Sequence, residues 1–222
     1  MDIANLIQTV AVYALPVLFA ITVHEAAHAY AARHFGDTTA WKLGRVTLNP
    51  AKHIDPMGTI VMPLLLYFAT SGAFLFGYAK PVPVRFGNLR NPKRDMIWVA
   101  LAGPGANLAM ALLWGILFYL LQGLGVEEVF FYAMCKAGIS MNVGLFVFNL
   151  VPLPPLDGGR IMVGLLPMKQ AMAFSRIEPY GFFIVIALIY LRVLDTFWMR
   201  PLTALTRLLV NQLLYPFSML VS

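Results

Sequence analysis

His24, Glu25 and His28 form the pattern His-Glu-Ala-Ala-His at the end of a long apolar run and at the start of an alanine-rich one. On an α-helix, residues four apart share a face, so His24 and His28 present two imidazoles to one point in space. Two such imidazoles suit a Zn²⁺ ion, and Glu25, on the adjoining surface, stands where it takes a proton from a water at that ion. The pattern is short, and its surroundings give it weight. A glutamate within membrane-length apolar sequence is costly to bury and demands a partner or a role. A polar cluster that glues helices together is the plainer alternative.

Catalytic zinc takes three protein ligands and keeps one position open. His34 completes the spacing of soluble HExxHxxGxxH metalloproteases, but those turn the chain on a glycine where Ala31 stands. On a continuous helix His34 lies about 600° past His28, roughly 120° off the metal face. His53, Asp55 and Glu178 are other polar groups expected near a membrane surface. Asp157 is the better third ligand. It follows Asn149-Leu-Val-Pro-Leu-Pro-Pro-Leu and precedes Gly158-Gly159, and such a run breaks a helix and aims side chains into a protein interior. An aspartate capping a loop reads the same way.

The elements that must position these groups are membrane helices. Of 222 residues, 60% are hydrophobic and 12% charged, against roughly 25% charged in a soluble domain. Charge is absent over long stretches, which identifies segments solvated by lipid. Spans are expected at 3–23, with the helix continuing to about Phe35, at 96–121, at 129–156 and at 179–200. The stretch 201–222 is either a short span or an interfacial helix. The N-terminus lacks a basic leader and runs into the His-Glu pattern, so it reads as a retained helix rather than a signal peptide. The expected fold is an all-α polytopic membrane protein of about five to six helices, one domain over 1–222. Arg192 and Asp195, three apart, are placed to pair on one helix face.

The net charge of +6 gathers in the connections, at Lys42, Arg45 and Lys52, at Lys80 to Arg94, and at Arg160 to Arg176. Nucleic-acid binding does not fit basic residues set between membrane-length apolar runs. Positive loops mark the inner side of a membrane. If 33–56, 80–95 and 157–179 all lie inside, 57–79 must leave and return on one side. A re-entrant β-like element near 72–86, lining a cavity, satisfies that; an ordinary span is the alternative. Cys135 stands alone among apolar neighbours and reads as a packing residue.

The stretches HEAAHAYAARHFGD, NPAKHIDPMGT, AGPGAN and NLVPLPPLDGG together resemble the site-2 protease family of intramembrane zinc metalloproteases (peptidase family M50), over about residues 20–165. The resemblance is to the compact form without PDZ or CBS domains, followed by C-terminal helices at 179–222. It implies one Zn²⁺ per chain held by His24, His28 and Asp157, with Glu25 as general base. It further implies that Asn149 helps hold substrate or the oxyanion. The expected substrate is a transmembrane protein, cut in or near its transmembrane segments. The expected location is the cell membrane, with the active site near the cytoplasmic side. A substrate helix hides its amides and must unwind, and a strand near 73–86 is suited to bind it by β-addition. Two other classes remain at this point, a non-catalytic zinc-binding membrane adaptor and a metal transporter. Glu25 speaks against the first, and the uncharged runs at 57–79 and 96–121 against the second.

Overall fold

In the computed structural model, residues 3–62, 65 and 80–221 are described. Helix α1 spans Ile3–His34, α2 Pro92–Gly123 and α3 Val129–Asn149. Two short helices follow, α4 at Asp157–Leu165 and α5 at Met168–Ser175. Helix α6 is Glu178–Tyr190, and α7, Arg200–Met219, comes after a π-helical turn at Asp195–Met199.

Helix α1 ends as its sequence dictates. Gly36 takes φ +112°, and the N–H groups of Gly36 and Asp37 return to the carbonyls of Arg33 and Ala32. That pair of bonds satisfies orphan carbonyls and needs a left-handed residue at the glycine position. Helix α2 starts with Pro92 in its first turn, where a missing N–H costs nothing, and Asp95 accepts the Asn91 N–H at 2.7 Å.

Small residues set the helix spacing. Gly138 on α3 lies flush against the Trp114 ring of α2, and Gly115 of α2 against Leu214 of α7. A methyl group at either glycine would overlap those side chains, the small-residue logic of membrane helix packing. Thr206, Val210 and Leu214, four apart, turn one face of α7 onto α2 and α3, where Val210 and Leu214 join Ala111 and Val143 in a buried cluster. Helix α7 thus lies lengthwise against the bundle.

The all-α polytopic architecture is what the structure shows. Among the described residues three helices are long and apolar enough to cross a membrane, at Ile7–His34, Pro92–Gly123 and Val129–Asn149. The count becomes four if α5 and α6, bent by 67°, form one span, against the five to six expected. Continuous helix over 179–200 is not observed. It stops at Tyr190, and Arg192 takes φ +58°, so Arg192 and Asp195 no longer share a helix face. Asp195 pairs instead with the Arg200 Nε at 2.7 Å. Most of the expected re-entrant element lies outside the described residues, since 63–64 and 66–79 are not among them. Residues 80–85 carry no helix or strand hydrogen-bond pattern, and Phe86–Asn88 is a 3-10 turn.

The segment 80–90 runs beside α1 in the same direction. The Lys80 N–H donates to the His53 carbonyl at 3.0 Å, and the Arg90 N–H to the Phe35 carbonyl at 2.9 Å. Asp37 is the central tie. Its carboxylate accepts the Thr39 hydroxyl and N–H at 2.5 and 3.0 Å, the Arg85 N–H at 2.7 Å and the Asn88 amide at 3.1 Å. Burial alone pushes the Asp37 carboxyl up. The bonds from Thr39, Arg85 and Asn88 outweigh that and hold it below the ordinary value.

Candidate metal centre

His24 and His28 sit one turn apart on the inward face of α1, and Asp157 opens α4. The polypeptide between α3 and α4 folds back tightly, which brings the Asp157 carboxylate to the two imidazoles. Gly158 and Gly159 permit this. A Cβ at Gly158 would lie 2.3 Å from the Leu150 carbonyl oxygen, and one at Gly159 2.2 Å from the Pro154 nitrogen. No side chain fits between the start of α4 and the 150–154 turn.

The geometry is that of an ion site. The Nε2 atoms of His24 and His28 are 3.1 Å apart, and Asp157 Oδ2 is 3.3 Å from each. All three residues are buried. Each imidazole is engaged at its other nitrogen. His28 Nδ1 lies 2.7 Å from the Val99 carbonyl oxygen, and His24 Nδ1 lies 2.6 Å from the Asn107 Oδ1. Both of those partners accept, so each ring presents an Nδ1–H to its partner and turns its Nε2 toward Asp157. Asp157 Oδ2 is buried and receives no hydrogen bond among the described residues. Two imidazole nitrogens and one carboxylate oxygen therefore converge on one point. A tetrahedral Zn²⁺ with bonds near 2.0–2.1 Å places its ligand atoms about 3.3 Å apart. The residues present fit that ion, and the ligand types, two imidazoles and one carboxylate, are those of a catalytic rather than a closed structural site.

Helix α2 supplies the floor. Gly103 backs directly onto the two rings, and a Cβ there would lie 2.3 Å from His28 Nε2 and 2.6 Å from His24 Cε1. The cavity beside the three residues has a volume of about 540 Å³. Its wall includes Glu25, Asn149, Arg160, Val82 and Val84. Glu25 Oε2 accepts the Val82 N–H at 2.7 Å, which ties the carboxylate to the 80–90 segment. Asn149, the last residue of α3, lines the cavity while its Nδ2 donates to the Leu145 carbonyl at 3.0 Å. The Arg160 guanidinium lies over the Phe86 ring at 5.5 Å.

Of the residues singled out from sequence, the structure brings together His24, His28 and Asp157, with Glu25 and Asn149 on the same cavity. His34 is not among them. It is exposed at the end of α1, its ring against Phe35 and its carbonyl taken by Arg90. His53 packs its Nε2 against the Thr47 carbonyl at 2.9 Å, Asp55 caps the Pro56–Val61 turn, and Glu178 lies exposed in the first turn of α6. Sequence reasoning passed over Asn107, Val82 and the specific role of Gly103. Asn107 carried a signal, an amide in the middle of an uncharged run. The Val82 contribution is a backbone N–H, which no residue type announces.

The profile of peptidase family M50 matches residues 127–192. Two relatives carry the name "Putative zinc metalloprotease": YwhC of Bacillus subtilis and Rip2 of Mycolicibacterium smegmatis. The chain is 37% identical to YwhC over 193 residues, covering 85% of this chain and 84% of that protein. It is 31% identical to Rip2 over 179 residues, 78% of this chain and 64% of that protein. No solved structure matches the chain.

Proposed function

The chain belongs to peptidase family M50 and is a zinc metalloprotease, and on that premise we propose that it hydrolyses peptide bonds in or beside transmembrane segments of other membrane proteins. The observation that carries this reading is the convergence of three buried donor atoms in one cavity with Glu25, within a bundle of membrane-length helices. His24, His28 and Asp157 hold the ion. When bound, Zn²⁺ acidifies a water molecule and polarises the scissile carbonyl.

Glu25 takes the proton of the attacking water and returns it to the leaving amine. The Val82 N–H orients its carboxylate by holding one oxygen. Asn149 exchanges its bond to the Leu145 carbonyl for one to the substrate carbonyl. The apolar remainder of the cavity wall receives an unwound stretch of substrate. Val84, on the same wall and outside any helix, is where an extended substrate peptide would pair with the backbone. Such pairing is β-addition, and it meets the need of a helix that has given up its own bonds. Arg160 on the cavity wall, with basic residues such as Arg85 and Lys93 in the connections, favours an opening on the cytoplasmic face of the cell membrane.

The test is cleavage of a panel of membrane-protein substrates in liposomes by the wild type and by Glu25→Gln, with zinc measured in parallel. The expected result is loss of cleavage in Glu25→Gln with zinc retained. Cleavage that persists in Glu25→Gln removes Glu25 from its role, and wild type that holds zinc yet cuts no member of a broad panel removes the intramembrane substrate class.

A further inference from the structure

We infer that Asn107 and Asn142 are positioning residues for the metal centre, a two-amide relay that holds His24 as its Nδ1–H tautomer and so keeps its Nε2 lone pair aimed at the ion. The inference rests on the metalloprotease reading, because it assigns a partner to one ligand of that site.

Both asparagines are fully buried, Asn107 on α2 and Asn142 on α3. The direction of every bond between them follows from groups that can only accept. Asn142 lies 2.9 Å from the Gly138 carbonyl oxygen, so it must present its Nδ2 there and its Oδ1 to Asn107. Asn107 then gives one Nδ2 hydrogen to Asn142 Oδ1 at 2.9 Å and the other to the Ala20 carbonyl at 3.2 Å. Both of its hydrogens are used. Its Oδ1 is left facing His24 Nδ1 at 2.6 Å, and His24 must donate. Reversing Asn107 would set its oxygen against two other oxygens and its NH₂ against the ring nitrogen. Gly138 and Ala20 thus decide, through two side chains, that His24 donates from Nδ1.

The two histidines are not oriented alike. His28 is held by the Val99 backbone carbonyl, which no substitution of a side chain removes. His24 depends on a side chain, and that side chain depends on a second one from another helix. Two buried amides within apolar helices are expensive to desolvate, and packing alone would be better served by leucine. The relay accounts for their presence. Loss of the group that orients a metal-binding imidazole typically weakens metal affinity about 10–100-fold.

The experiment measures Zn²⁺ affinity of the full-length apoprotein in detergent, by competition with a chromophoric chelator, alongside ¹⁵N NMR of labelled histidine to read the tautomer. Asn107→Leu removes the acceptor and is expected to bind zinc about 10–100-fold more weakly. Asn107→Asp keeps an acceptor oxygen toward His24 and, as a neutral acid, one O–H for the Ala20 and Asn142 oxygens that its second oxygen faces, and it is expected to bind within a few-fold of wild type. Asn142→Leu frees Asn107 to turn over and is expected to fall between them, with the His24 signal shifted toward the Nε2–H form. A packing role predicts the reverse order, since leucine suits an apolar interface better than aspartate does. Asn107→Leu equal to wild type, or Asn107→Asp as weak as Asn107→Leu, overturns the relay. If Asn107→Leu does not fold, Asn142→Leu and Asn107→Asp decide, and wild-type affinity with an unshifted His24 signal in Asn142→Leu overturns it. His24→Ala in the same assay separates the two readings: should it bind zinc as wild type does, the metal site itself is misassigned.

Discussion

Replacing Gly103 by alanine adds a single methyl group in the floor of the site. Its carbon would lie 2.3 Å from His28 Nε2 and 2.6 Å from His24 Cε1, where ordinary contact begins near 3.4 Å. The rings must therefore retreat by about 1 Å, or α2 must lift from α1 by as much. A zinc site tolerates ligand distances only within about 0.2 Å of their ideal values. Neither ring can retreat freely, because Val99 and Asn107 hold the far nitrogens. The expected outcome is at least 100-fold weaker Zn²⁺ binding, equivalent to about 2.7 kcal/mol. Overpacking adds a stability cost of about 1–3 kcal/mol, partly offset by the roughly 1 kcal/mol by which alanine exceeds glycine in a helix. Gly105→Ala is the control on the same helix, since nothing lies within 4 Å of a Cβ there. It should leave zinc affinity unchanged and raise the melting temperature slightly. The assay is chelator competition on the purified apoproteins with thermal unfolding in parallel. Wild-type zinc affinity in Gly103→Ala would falsify the argument that α2 seats the two imidazoles by close backbone approach.

Two further outcomes concern the segment that crosses the cavity. Val82→Pro deletes the N–H that holds Glu25 Oε2 while leaving His24, His28 and Asp157 untouched. The turnover rate should fall about 10–100-fold with zinc content unchanged, and loss of zinc instead would show that the segment supports the ligands rather than the base. Asp37 is set for a pH test. Its folded carboxyl lies below the ordinary value near 3.9, so the folded state resists protonation and its stabilisation is complete above that value. As pH falls through the lowered folded value the contribution disappears. Asp37→Asn should therefore be less stable than wild type at neutral pH, with the gap closing in strong acid; a gap that is constant with pH would mean the carboxylate charge is irrelevant to the tie between α1 and the 80–90 segment.

Much about this protein was legible in its sequence, for local reasons. Helical periodicity puts His24 and His28 on one face whatever surrounds them, and Ala31 in place of a turn-forming glycine carries His34 away from that face. The prolines and glycines of 149–159 forbid a continuous helix, so a break before Asp157 follows from backbone chemistry alone. Apolar runs of membrane length declare the all-α bundle. Other features needed the chain folded. That Asp157 meets both imidazoles depends on how far two glycines let α4 back onto the turn before it. Gly103 has meaning only because α2 crosses α1 at the histidines. The Val82 N–H reaches Glu25, 57 residues earlier in the chain, because Asp37 fastens the 80–90 segment through the Arg85 N–H. The break at Arg192 and the lengthwise packing of α7 were likewise undecided in sequence, where a marginally apolar stretch reads equally as span or surface helix. Periodicity is a property of neighbours in the chain, whereas ligand convergence, tautomer choice and helix spacing are set by neighbours in space.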